Sequence, residues 1–555
     1  MNIKILLPKV FILQIIIFST LLYSQKNQEG TPYSILHHLD DLNVPTVTMA
    51  PVNVDSLLLE DELNPQELPP RFGFPHEVQL NLNNTGLLET FEDGSQLWRL
   101  RIYCPDAFSI NLIYSEFYLF NESTLFIYDD EKRKILGAFS GENNFKSGIF
   151  STSPIPGDVC IIELFMPSGI QSQRLQISTI IHAYKNIFGR DRDFGQSAFC
   201  NINVHCGAEC EPWGDQIRSV GMIIDDSNSR MCSGVLVNNL DNDINRRYLL
   251  TAYHCIRRDA DYNEESSIMV LFNYESSDSL NPDEEPSTDD WISGVRLISM
   301  DTLMFEHGDF ALLEILDTIP SSYNVYYSGW SREDSLVSDV VGIHHPKQDI
   351  KKISFDGDPI SLDYDGSHPD YVPNSHWFVE NWDEGTTENG SSGSPLFNPD
   401  KKVIGLCHSD NNQEECTEDF GTYYSSIAFS WDTGDSPDTR LKEWLDPSGS
   451  NAFTCEGRNW DQIFGCTDST AFNYNENANE DDGSCNDCTG IDFSSGDINF
   501  DLIVDILDII ELVNLILSVS TPDSYESFCS ADVQQDSILD IFDILAIVDI
   551  IIDNS

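Results

Sequence analysis

Three segments of the 555-residue chain carry the side chains that hydrolytic chemistry uses. The first is Leu249-Leu250-Thr251-Ala252-Tyr253-His254-Cys255. The second is His307-Gly308-Asp309-Phe310-Ala311-Leu312-Leu313-Glu314, and the third is Asn389-Gly390-Ser391-Ser392-Gly393-Ser394-Pro395-Leu396. A serine becomes a nucleophile when an imidazole takes its proton and a buried carboxylate fixes the imidazole's tautomer. Acyl transfer also needs backbone N–H groups aimed at the developing oxyanion. His254, Asp309 and Ser394 supply the first set, and a tight turn over residues 390–394 supplies the second through the N–H groups of Ser392 and Ser394. Each segment alone has an ordinary structural reading: a histidine beside a cysteine, an aspartate at a strand end, a flexible Gly/Ser loop. All three together, in this order, point to catalysis.

A second constellation lies near the C-terminus. It reads Asp497-x-Asn499-x-Asp501-x-Ile503-x-Asp505-x-x-Asp508 and, 35 residues on, Asp532-x-Gln534-x-Asp536-x-Ile538-x-Asp540-x-x-Asp543. Calcium takes six to eight oxygens, and a 12-residue loop offers them at positions 1, 3, 5, 7, 9 and 12, the seventh through its backbone carbonyl. Ile503 and Ile538 therefore suit the seventh place, and each loop runs into an apolar helix expected over residues 506–517 and 541–552. Without a cation the gathered carboxylates of each loop repel one another. The competing reading is a pair of acidic amphipathic helices that hold no metal. Ile509, Val513, Ile544 and Val548 are expected to form a partner-binding face, and Cys488 with Cys529 a clasp across the module.

The rest of the chain must position these groups. Hydrophobic residues make up 40% of it, enough for several real cores, and the length suits three or four domains. A net charge of -62 argues against nucleic acid or an anionic membrane face as partner. Lys4, Lys9 and the 13-residue apolar run 10–22 read as a secretory signal ending near Ser24 or Gln25. That run is shorter than the ~20 residues of a spanning helix, and no other segment suits a span. The 14 cysteines then read as disulfides of a secreted or cell-surface protein. The expected organisation is a signal (1–25), a leader without sustained periodicity (26–75), a β-rich region (76–195), a strand-rich region (196–455), a Cys-bounded Asn/Asp segment (465–485) and the acidic repeat (486–555). Short alternating runs at 97–103, 109–114, 124–128 and 159–165 suggest a β-sandwich in which Cys104 pairs with Cys160. The fold is thus expected to be mostly β with a small helical end. The His, Asp, Ser order is that of chymotrypsin-like double β-barrels.

Residues 196–455 resemble the lysyl endopeptidase family of secreted bacterial serine proteases. The resemblance rests on Cys200-Asn201-Ile202-Asn203-Val204, Cys232-Ser233-Gly234, the three segments above, Gly342-Ile343-His344-His345-Pro346 and Glu443-Trp444-Leu445-Asp446-Pro447. It implies a trypsin-like fold with His254 as general base, Asp309 as orienting carboxylate and Ser394 as nucleophile, and no cofactor for catalysis. His408 matches a histidine that in the family lies near the catalytic one; of the family's partnering tryptophan, Tyr364 is the candidate replacement. A lysine-selective pocket would take its carboxylate from Asp419, with Glu418 beside it. An ungapped count instead lands on Thr422, and Glu388 matches a glutamate of the family. The resemblance implies the bridges Cys232–Cys255 and Cys200–Cys416. The usual partner of Cys206 is missing, so Cys206, Cys210, Cys407 and Cys455 are left open. Residues 76–185 resemble a prodomain that is removed after folding, with Lys185 a candidate self-processing site. Residues 465–485 resemble a short repeat of secreted proteins closed by Cys466 and Cys485. The acidic repeat resembles a dockerin, though Leu502 and Ser537 stand where glycine is usual. A dockerin implies calcium and a cohesin-like surface partner. The alternative for the whole chain is a non-catalytic surface or adhesion protein that keeps a protease scaffold.

Overall fold

The computed structural model describes residues 30–63, 69–170, 173–186, 197–225, 229–256, 265–282, 285–301, 308–362, 371–410, 416, 421–467, 471, 474–475, 478–481, 485, 495–517, 525–534 and 539–553. The signal segment, His307, Tyr364, Glu418, Asp419, Cys488, Asp536, Ser537 and Ile538 lie outside them. Among the described residues no helix is long and apolar enough to cross a membrane. The chain divides into two compact units, one of residues 1–238 and 246–457, the other of residues 239–245 and 458–555.

The first unit opens with a β-sandwich. One sheet runs Thr46–Thr48, Gln96–Tyr103, Val159–Met166, Thr124–Asp129, Ile135–Phe139, with Leu87–Thr90 paired to Gln96–Tyr103. The other runs Gly73–Asn81, Arg174–Ala183, Ser109–Tyr118, Phe150–Ser151, with Ile155–Pro156 also on Ser109–Tyr118. Period-2 alternation sends Leu100, Ile102, Cys160 and Ile162 of one sheet against Ile110 and Leu112 of the other in one buried core. The stretch read as a leader or linker without sustained period carries regular structure among its described residues. Thr46–Thr48 adds to the sheet edge in parallel with Arg101–Tyr103, and Val54–Leu63 is a helix. Backbone pairing with a ready-made edge does here what local periodicity could not signal.

The expected Cys104–Cys160 bridge is absent. Cys160 stands opposite Ile102 in the ladder, so Cys104 is two residues off register. Such a diagonal neighbour is ~7–8 Å away, beyond the usual disulfide span. Both thiols are buried in the sandwich core as small apolar side chains, and burial pushes that of Cys104 up to about 12.

Two further sheets follow, each curled into a half-barrel. The first is eight-stranded, in the order Glu265–Ser266, Val295–Met300, Ala311–Ile315, Tyr248–Thr251, Met231–Val237, Val220–Ile224, Met269–Leu271, Trp291–Ile292. The second is built on Ile202–Asn203, Lys352–Asp356, Val340–His344, Pro395–Phe397, Val403–Asp410, Trp330–Ser331 and Thr454–Cys455. His376–Val379 joins it through Thr422–Ser426, which pairs with Val403–Asp410. The unit holds the bridges Cys200–Cys416, Cys206–Cys210 and Cys232–Cys255.

The second unit is small. Helices Ile506–Ile516, Tyr525–Ala531 and Ile541–Asp553 close over Ile498, Leu512, Ala531 and Ile547. Cys466 is bridged to Cys485, and Cys529 is disulfide-bonded. The expected partner face is turned partly inward, because Ile509 and Ile544 pack against this core. Ile506, Ile510, Phe542 and Leu545 are exposed instead.

Candidate active site

Strand pairing sets the first two groups. Tyr248–Thr251 and Ala311–Ile315 are antiparallel, with Thr251 opposite Ala311. The chain leaves one strand through the 3-10 turn Tyr253–Cys255 and enters the other from Asp309, so His254 and Asp309 meet at one end of the pair. His254 Nδ1 lies 2.5 Å from Asp309 Oδ2, and the His254 backbone N–H donates to Asp309 Oδ1 at 3.1 Å. The Asp309 N–H donates to Ser425 Oγ at 2.9 Å. Asp309 is fully buried. Burial pushes its carboxyl up, but the imidazoles of His254 and His408 and the two bonds from His254 outweigh this and hold it at about 2. An ionised carboxylate therefore faces the Nδ1 side of His254 across the neutral range, which leaves Nε2 for proton transfer.

Ser394 immediately precedes the strand Pro395–Phe397 on the second sheet. Its turn is pressed onto the first half-barrel beside His254: the Ser233 N–H donates to the Ser392 carbonyl at 2.9 Å, and Cys255 Sγ lies 3.5 Å from the same oxygen. Gly393 has φ +78°, and a Cβ there would stand 2.1 Å from Thr251 Oγ1 and 2.5 Å from the Ser233 carbonyl. Only glycine fits. Ser394 Oγ is buried and, among the described residues, has no hydrogen-bond partner, His254 included. The Ser394 N–H, one of the two expected oxyanion donors, is given to the Ser391 carbonyl at 3.0 Å. The described turn is therefore closed, and its donor must exchange Ser391 for a substrate oxygen to act.

The structure extends this site beyond the residues singled out from sequence. His408 Nε2 lies 3.5 Å from Asp309 Oδ2, and its ring stacks near His254 at 5.8 Å between centroids. His408 Nδ1 is 2.8 Å from His376 Nε2, and His376 Nδ1 is 2.7 Å from Ser375 Oγ. Tyr371 stacks on His376 at 4.0 Å and on His408 at 5.0 Å, and its hydroxyl bonds Ser409. Among the described residues, Tyr371 thus supplies the aromatic partner that Tyr364 was expected to be. The signal for Tyr371, Ser375 and His376 is one of register: His376 is opposite Ser425, which is opposite Leu406. No local motif carries it.

Glu388 is not an open pocket acid. Its Oε2 accepts from the Ala198 N–H at 2.8 Å and from Asn201 Nδ2 at 2.7 Å, while Oε1 pairs with Lys347 at 2.7 Å. It clasps the segment that leads to Cys200. Thr422 is buried with its hydroxyl 2.8 Å from that of Thr387.

In the second unit, Asp508 accepts from the N–H groups of Ile498 and Asp505 at 2.8 and 2.9 Å and of Asn499 at 3.3 Å. Asp543 repeats the pattern with Gln534 at 3.1 Å and Asp540 at 3.0 Å. Asp497 accepts from Asp501 and Leu502, and Leu502 takes φ +69° at the place where glycine is usual. Among the described residues, the groups of three or more whose ligand atoms lie within 4.8 Å of one another are Cys232-His254-Cys255 and His254-Asp309-His408, so no three described loop carboxylates come that close together.

Residues 194–424 match the family described as lysyl endopeptidase, C-terminal domain, and the match spans His254, Asp309 and Ser394. Similar solved structures include Rv3671c from M. tuberculosis H37Rv in an inactive form, at 13% identity and TM-score 0.24, over 39% of this chain and 85% of that one. The HtrA-type protease AlgW is 16% identical at TM-score 0.28, over 40% of this chain and 60% of that one. A serine endoprotease from Yersinia pestis is 18% identical at TM-score 0.26, over 40% and 63%. These structural likenesses carry no argument, and it is the family match that supports a serine-protease domain over residues 194–424.

Proposed function

We propose that the chain is a serine endopeptidase that hydrolyses peptide bonds after lysine. The observation that carries the reading is the buried, ionised Asp309 held at 2.5 Å from His254 Nδ1, with the Ser394 turn packed on the same strand end. Ser394 Oγ attacks the scissile carbonyl, and His254 takes its proton and later returns it to the leaving amine. Asp309 holds the imidazole in the tautomer that leaves Nε2 unprotonated and stabilises the imidazolium once formed. The N–H groups of Ser392 and Ser394 bind the oxyanion after the turn releases Ser391. The lysine preference draws on the family match and on Asp419 as the pocket acid. Cleavage of a peptide library read by mass spectrometry tests both parts: products ending in lysine support them, cleavage after other residues removes the specificity alone, and no cleavage removes the activity.

The C-terminal repeat is read as a calcium module. Asp497, Asn499, Asp501, Ile503, Asp505 and Asp508 would hold one ion, and Asp532, Gln534, Asp536, Ile538, Asp540 and Asp543 the other. The donor chemistry fits a hard cation, since all are oxygens and Asp497, Asp508, Asp532 and Asp543 are buried acids. The matching contacts of Asp508 and Asp543 support two equivalent loops. The ion would be structural, drawing the carboxylates of each loop together.

A further inference from the structure

The sandwich and the first half-barrel share a core. On the strand Val220–Ile224, Ile223 points into the half-barrel's own core, whereas Met222 and Ile224 point outward. On Met269–Leu271, Val270 points inward and Met269 and Leu271 outward. These outward residues are fully buried, because Phe72, Ile181 and Ala183 of the sandwich cover them. Met231, Tyr274, Trp291 and Ile350 complete the same cluster.

Backbone bonds continue the contact. The Phe72 N–H donates to the Ser229 carbonyl at 2.8 Å. Arg71 bridges Arg230 as an antiparallel pair, the Met231 N–H donates to the Pro70 carbonyl, and Gln348 Nε2 donates to the same oxygen at 2.7 Å. At the rim Lys134 pairs with Asp289, and the Phe145 ring fills the space above Gly294, where a Cβ would stand 2.2 Å from it. None of these contacts involves His254, Asp309 or Ser394.

A removable prodomain should leave behind a surface that water tolerates. Here removal would expose a contiguous patch of methionine, isoleucine, leucine and tryptophan, which a soluble protein covers. Lys185 is itself tied down, its Nζ 2.8 Å from Asp61 and its N–H on Phe72.

We propose that the sandwich is a permanent part of the mature protein: residues 69–186 stay bound to the outer face of the first half-barrel as a non-covalent partner when the chain between them and residue 197 is cut. The test uses the full chain carrying Ser394→Ala, with a recognition sequence for a site-specific protease inserted between Asn186 and Ser197. Because nothing is read from catalysis, its result is independent of the peptidase reading. After complete cutting, size-exclusion chromatography with light scattering at about 1 μM protein should give one species with the mass of the uncut chain, containing both fragments. Adding Phe72→Ala to the cut protein should raise the concentration at which it dissociates at least tenfold. Separate elution of the two fragments under native conditions would overturn the proposal, as would a Phe72→Ala complex that dissociates no more readily than the parent.

Discussion

His376 Nε2 lies 2.8 Å from His408 Nδ1, joining the strand His376–Val379 to Asp309, the carboxylate beside His254. The Ser375 hydroxyl donates to the Val372 carbonyl at 2.6 Å, so His376 Nδ1–H is the donor to Ser375 Oγ. Neutral His376 then accepts from His408 Nδ1–H. A proton on His408 Nε2 as well makes that ring a cation facing Asp309. His376 is in this account a positioning residue acting through His408. Its replacement by Phe should cost about 1 kcal/mol of transition-state stabilisation, about five-fold in kcat with KM little changed. The pH–rate profile should move with it, and His376→Gln should recover part of the loss. An unchanged profile in His376→Phe would reduce the residue to packing.

Acid should destabilise the first unit, first through two buried histidines and then through Asp309. His344 and His345 are fully buried, and burial holds both at about 3. Their folded values are depressed, so the unfolded chain takes up protons that the folded one refuses once pH falls below about 6.5. Each then costs about 1.4 kcal/mol per pH unit down to the folded value. Asp309, also depressed, stabilises above the unfolded carboxylate value and loses that contribution, about 2 kcal/mol in all, as pH falls from about 4 toward 2. Urea midpoints measured from pH 8 to 4 should decline below about 6.5, with His182, held at about 4 by burial, adding to the loss and Glu285, raised to about 7 by burial, offsetting part of it. Equal midpoints at pH 7 and 5 would contradict the buried neutral histidines.

Gly393→Ala should lose activity and stability together. The positive φ alone costs about 1–3 kcal/mol for an L-residue, and the added methyl meets the backbone of Ser233 and Ala252 as well as Thr251 Oγ1. A thermal melt and a hydrolysis assay on the same sample check this. A fully active, fully stable Gly393→Ala protein would show that the turn is placed differently.

For the C-terminal unit, calcium binding to the intact chain should release carboxylate repulsion and become folding energy, about 2.7 kcal/mol at a hundred times Kd. Calorimetry should give about two ions per chain. Asp508→Ala with Asp543→Ala should abolish that heat and leave hydrolysis of a short peptide unchanged. Heat that persists in the double variant would point to other ligands.

Much of this was legible in residues that act locally. The segments around His254, Asp309 and Ser394 are each short motifs at a strand end, and the structure pairs the first two strands with Thr251 opposite Ala311. Groups brought in by register were not legible. His376 reaches His408 through a third strand, Cys104 misses Cys160 by two positions, and Thr46–Thr48 borrows its conformation from a neighbouring edge. The covered outer face of the first half-barrel was hidden for a similar reason. Strands buried on both sides read as continuous apolar runs, and nothing in such a run says which residues face which core.

The most direct measurement is labelling by an irreversible serine-reactive phosphonate, read by peptide mass spectrometry alongside amide hydrolysis. The account predicts label on Ser394, and loss of both label and hydrolysis in Ser394→Ala while the fold persists. Full hydrolysis by Ser394→Ala, or a folded, processed wild-type protein that takes no label, would contradict it.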